Sequence, residues 1–141
     1  MERMMLQSKF TIFNLPREGD HATERRFSSE KGEMAQILNR NNESYHHLVY
    51  WDLDTPNSGQ ERGHHFHKQK VEFFYIVSGE LDLIMEDLDT NEKLAVPVEA
   101  GQRISIQPNI AHVFRSKGYS QVLEYSPHPY DPSDTYSFRV V

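Results

Sequence analysis

Apolar and polar residues alternate with period two along most of this chain. Turn residues break the alternation about every 8–12 positions, the pattern of a β-barrel or sandwich. Lys9 to Asn14 opens the series. Tyr45 to Leu53 is the clearest strand, with Tyr45, His47, Val49, Trp51 and Leu53 on one face. Val71 to Val77 is almost continuously apolar, which predicts a strand covered on both sides. Leu81, Leu83 and Met85 alternate with Asp82 and Glu86, and Leu94 to Val98 returns after a hairpin connection at Asp89–Glu92. Ile104 and Ile106 mark a short strand that stops at Pro108-Asn109. His112–Phe114 and Gln121–Tyr125 read as a final pair around Lys117-Gly118. Residues 17–33 read as loop, and 33–38 fit either a helical turn or a strand. The expected architecture is all-β, one domain over 1–141, with an N-terminal arm at about 1–40, a barrel core at about 44–126 and an extended tail at 127–141.

Charge and cysteine content exclude several functions. Lys plus Arg is 15 against 21 for Asp plus Glu, a net charge of −6. Nucleic-acid binders are usually basic, so a nucleic-acid partner is not expected. With no cysteine there is no disulfide, thiolate metal site or thiol nucleophile. Apolar runs are far shorter than the ~20 residues that span a bilayer. The start at Met1–Gln7 has mixed charge and no apolar core, so it does not read as a secretory signal, and the cytoplasm is the expected location. Hydrophobic residues are only 37%, although 8 Phe, 7 Tyr and 1 Trp each bury much area. The core is thin enough that a partner subunit is expected to complete it.

The chain also has 8 histidines. His65 and His67 are two apart, so an extended strand sends both imidazoles from one face. Two such nitrogens can bind one cation at ~2.0–2.1 Å. His64 points the other way. Glu72 joins them only if the chain turns near Lys68-Gln69-Lys70, and His112 opens a later strand. Three imidazoles and one carboxylate suit a divalent transition metal (Fe, Mn, Ni, Co or Zn) rather than Mg or Ca.

The combined spacing is more specific. Gly59, His65, His67, Glu72 and Gly79 read G-x5-H-x-H-x4-E-x6-G. This resembles the first motif of the cupin superfamily at every specified position. Gly101 and His112 fit the second motif, with three departures: Pro108 is displaced by one, Asn109 stands for a glycine and Ser116 stands for an asparagine. Asn is the residue best able to replace Gly in a left-handed turn. The resemblance implies a double-stranded β-helix (the jelly-roll or cupin barrel), usually a homodimer, with a metal held by His65, His67, Glu72 and His112.

A narrower resemblance covers most of the chain from about residue 27. Phe27 to Met34 is similar to the opening segment of nucleotide-sugar cupins, and Glu61-Arg62-Gly63-His64-His65 to the R-G-x-H that begins their active-site strand. Tyr130 to Tyr136 is similar to a tail found in several of them. This implies a sugar or nucleotide-sugar substrate, with His65 as base. Tyr50, Tyr75 and Tyr125 are possible acids, Tyr75 being taken with His65 and Arg62 as the catalytic set. Arg62 and Lys68 are candidates to meet a phosphate or carboxylate. The expected activity is isomerisation or epimerisation by acid–base chemistry. The alternatives are a non-haem metal dioxygenase and a non-catalytic, metal-bearing sugar-binding module. The other histidines, 21, 46, 47, 64 and 128, are expected at the surface or behind the site.

Overall fold

The structure, a computed structural model, describes residues 5–140; the stretch of the charged start from Met1 to residue 4 lies outside the described residues. Two five-stranded antiparallel sheets face each other. The first contains β1 (Phe10–Asn14), β4 (His47–Leu53), β6 (Glu72–Ser78), β9 (Gln102–Ile106) and β11 (Ser120–Ser126), in the order β1-β9-β6-β11-β4. The second contains β5 (Arg62–Phe66), β7 (Glu80–Asp87), β8 (Lys93–Glu99), β10 (Ile110–Ser116) and β12 (Tyr136–Ser137), in the order β12-β5-β10-β7-β8. A separate hairpin joins β2 (Arg26–Ser29) to β3 (Gly32–Ala35). This is the expected all-β jelly roll of the cupin type.

The alternating residues fill the space between the sheets. Trp51, Phe74, Ile76, Leu83, Met85, Ile104 and Phe114 are buried there. Phe74 and Phe114 meet edge to face at 4.9 Å, an arrangement worth ~0.5–1.5 kcal/mol beyond the area it buries. Pro97 is tolerated because β8 lies at the sheet edge, where a missing N–H costs no ladder bond.

The apolar run of β6 is covered on both faces. Phe74 and Ile76 point into the barrel. Phe73 and Tyr75 point outward, under Ile37, Leu38 and Tyr45. Phe73 stacks on Tyr125 at 5.4 Å, and Tyr45 meets both rings edge-on. This outer segment is pinned by Glu24, which accepts hydrogen bonds from Arg40, the Asn39 N–H and Arg103. Burial pushes the Glu24 carboxyl up, but these donors outweigh it and bring it down to about 2.

Two expectations of organisation fail. Residues 17–33 are not wholly loop: Arg26–Ser29 pairs with Gly32–Ala35, so 33–35 is strand. Bidentate contact between Arg26 and Glu33 across this pair adds a tie that hydrophobic patterning does not reveal. β10 and β11 are not a pair either: β10 lies between β5 and β7, and β11 between β4 and β6. The Lys117-Gly118 turn crosses from one sheet to the other, as jelly-roll connections do.

Candidate active site

The cavity at one end of the barrel has a volume of about 650 Å³ and draws on both sheets. The two-residue spacing in β5 sends His65 inward, and His67 follows just past the strand end. His65 lies opposite His112 in the β5–β10 ladder, and a bulge follows between His112 and Val113. The turn expected at residues 68–70 is present and carries the chain to the opposite sheet, so Glu72 at the start of β6 faces the imidazoles. Asn109, in the glycine position of the second motif, has φ +64°, and its N–H donates to the His67 carbonyl at 2.7 Å.

The four expected donors converge. Glu72 Oε1 is 3.1 Å from His67 Nε2 and 3.1 Å from His112 Nε2. The His65 ring centroid is 5.1 Å from that of His67 and 4.9 Å from that of His112. Donor atoms of His65, His67 and Glu72 all lie within 4.8 Å of one another. His67 Nδ1 donates to the Asp134 carbonyl at 2.7 Å, and His112 Nδ1 to the Ile110 carbonyl at 3.1 Å. Those bonds turn each Nε2 toward Glu72. His67 Nε2 is buried and makes no hydrogen bond there, despite the short separation. The donor types and this orphaned nitrogen fit a divalent transition metal.

Burial and charge divide the imidazoles. Burial, reinforced by neighbouring His112, lowers His65 to about 4, so it is neutral near pH 7. Burial also opposes charge on His112, but the Glu72 carboxylate and its hydrogen bond outweigh this and raise it. Glu72 is itself held well below the carboxylate range, with burial overcome by His112 and His67. Glu124, which accepts from Trp51 Nε1 at 3.2 Å, is raised by burial and by the nearby charge of Glu72.

Several expected participants take other positions. Tyr75 and Tyr125 are absent from the cavity lining; they pack in the outer cluster with Leu15, because successive residues of a strand face opposite sides. Tyr50 stands at the rim, its hydroxyl accepting from Gln121 Nε2. Arg62 is at the mouth, its guanidinium 5.4 Å over Trp51. Lys68 lies instead in an adjoining polar pocket, over the Tyr136 ring at 4.6 Å. His64 leaves the other way, as expected, and hydrogen-bonds Glu61.

Sequence reasoning missed Lys70, His47, Glu124 and Tyr130, all of which line the cavity. Lys70 Nζ lies 3.4 Å from His47 Nδ1, and the His47 and Tyr130 rings are 6.2 Å apart. Lys70 was legible in principle, since it shares the inward phase of Glu72 and Phe74. Tyr130 was not, because it arrives from an irregular tail.

The barrel has the cupin fold, and solved structures share it. The TDP-quinovose 3,4-ketoisomerase of Campylobacter jejuni superposes with a TM-score of 0.70 at 19% identity, covering 90% of this chain and 91% of that one. A variant of a 3,4-ketoisomerase from Thermoanaerobacterium thermosaccharolyticum, in complex with TDP-4-keto-6-deoxyglucose, gives 0.67 at 12%, covering 90% and 86%. The dTDP-6-deoxy-D-glucose-3,5-epimerase of Legionella pneumophila gives 0.66 at 14%, covering 91% and 77%. Residues 28–136 match the family described as the polysaccharide biosynthesis C-terminal domain, and the chain belongs to that family. No curated protein matches the sequence. Among the described residues, no helix is long and apolar enough to cross a membrane.

Proposed function

We propose that this protein isomerises or epimerises a keto sugar carried on a nucleoside diphosphate. The observation that carries this reading is a neutral imidazole, His65, beside the close His112–Glu72 pair, in a cavity with buried Lys70 on its wall and Arg62 and Tyr130 at its mouth. Sugar nucleotides bound by solved structures of the same fold support the substrate class.

In this reading His65 takes the proton from the carbon next to the ketone, and the electron pair left behind forms an enolate. His112, whose charged form Glu72 favours, and the Lys70 ammonium offset the charge on its oxygen. In an isomerisation the hydroxyl on the first carbon passes its proton to the enolate oxygen and the abstracted proton returns to the former carbonyl carbon; in an epimerisation a proton returns to the opposite face of the same carbon. Tyr130 replaces Tyr75 as the phenol able to donate it. Arg62 meets the diphosphate at the mouth.

His65, His67, Glu72 and His112 are also the residues that would hold a divalent metal. Bound there, the ion supplies Lewis acidity toward the ketone oxygen. An imidazole lone pair given to a cation cannot take a proton, so the two roles are alternatives for His65. One experiment separates them. Untagged protein is analysed for metal, then incubated under nitrogen in deuterated buffer with TDP- and UDP-linked 4-keto-6-deoxyhexoses, before and after chelation. Deuterium entering next to the ketone supports the reading. Exchange that survives chelation assigns His65 as base, and exchange lost with a stoichiometric metal assigns it as ligand. Oxygen uptake with no exchange from any keto sugar overturns the proposal.

The same proposal takes the cytoplasm as the setting and a second copy of the chain as partner. The outer edge of β4 is unpaired among the described residues, and Leu48 on it is 71% exposed. An apolar groove lined by Ile37, Leu38, Tyr45 and Leu123 adjoins it. Sedimentation should show a dimer that Leu48→Glu converts to monomer, with the exchange activity of each subunit measured alongside.

A further inference from the structure

The C-terminal tail does more than close the barrel. Asp134 ends its short 3-10 turn, Pro132–Asp134, and is only 9% exposed. Its carboxylate accepts three consecutive backbone N–H groups, from Lys68 at 2.9 Å, Gln69 at 3.2 Å and Lys70 at 3.0 Å. Those residues form the turn between His67 and Glu72. The carbonyl of the same residue accepts His67 Nδ1 at 2.7 Å. Farther along, Phe138 N–H donates to the His64 carbonyl and Val140 N–H to His64 Nδ1. One tail residue therefore grips the turn with its side chain and one site imidazole with its backbone.

We infer that Asp134 is a positioning residue: by clamping the 68–70 turn it sets its own carbonyl against His67, which keeps a proton on Nδ1 and turns Nε2 toward Glu72. Neutral imidazole in water favours neither nitrogen strongly enough to guarantee that form, and the bond made by the other nitrogen decides it. The same clamp places Lys70 at the cavity wall. The effect on turnover rests on the function proposed above; the tautomer does not.

The test uses metal-free, full-length protein with 15N-labelled histidine and long-range 1H–15N correlation spectra. In the wild type, His67 should carry its proton on Nδ1. Asp134→Ala should shift His67 toward the Nε2–H form, and Asp134→Asn, which keeps one acceptor oxygen, should shift it part-way. His112, held by the Ile110 carbonyl, should keep its pattern and so report an intact barrel. Turnover should fall 10–100-fold in Asp134→Ala with KM changed less than threefold, the usual scale for losing a partner behind a site residue. Should Asp134→Ala not fold, Asp134→Asn alone decides the matter by its partial shift. A wild-type His67 with no proton on Nδ1, or an unchanged His67 pattern in a folded variant, overturns the inference. A wild type that exchanges no keto-sugar proton removes the function while leaving the tautomer result to stand or fall separately.

Discussion

His65→Asn should lower deuterium exchange into a keto-sugar nucleotide by about 10²–10⁴-fold, the range lost with a general base. KM should change little, because Arg62 at the mouth still meets the anionic end of the ligand. The pH profile gives an independent check. A base works in its deprotonated form, and burial beside His112 lowers His65 to about 4. The acid limb of kcat/KM should therefore break near pH 4, well below the ~6.5 of a free imidazole. Activity should be nearly flat from pH 7 to 5, with circular dichroism at each pH confirming the fold. A break at 6–7 would assign proton removal to another group.

Gly63→Ala should be among the most damaging single substitutions outside the reacting groups. Gly63 has φ +123°, a conformation that side chains rarely adopt. A Cβ there would sit 2.5 Å from the His112 carbonyl oxygen and 2.9 Å from Val113 Cα. Both are backbone atoms of β10 and cannot swing aside. Strain and overpacking together should cost about 3–5 kcal/mol, a drop of roughly 10–20 °C in Tm for a chain of this size. Since β5 would have to lift from β10, the His65–His112 pair should separate and exchange should fall even in the folded fraction. Gly118→Ala is the control, because nothing lies within 4 Å of its added carbon. Calorimetry on both variants checks the contrast.

The barrel was legible because alternation reports which face of a strand is buried, as in β7, while the apolar run of β6 marks a strand covered on both faces. Strand phase alone put His65 and His67 on one side; Glu72 and His112 were joined to them only through motif spacing that resembles the cupin pattern. What failed were relations between distant segments. Tyr75 looked available because it lies in the same strand as Glu72, but an odd offset from Glu72 puts it on the far side of the sheet. The pairing of β10 with β5 and β7 depends on a sheet crossing that local pattern does not encode. His47 and Glu124 read as ordinary strand positions, and only the closure of β4 and β11 around the cavity brings them into its lining. The hairpin at 26–35 was hidden by its charge, since its pairing relies on Arg26 and Glu33 rather than on an apolar face.

The two-residue strand β12 has a consequence for how the protein behaves in a crowded solution. Without it β5 would end the second sheet, and its free N–H and C=O groups would offer a template to any other extended chain. A longer capping strand would itself expose a new edge of the same length. Two residues, with Tyr136 stacked on Phe66 at 5.1 Å, cover the backbone at Phe66 and His65 while presenting almost nothing to pair with. The strand that carries the histidines is thus sheltered from sticky association by a segment too short to be sticky itself.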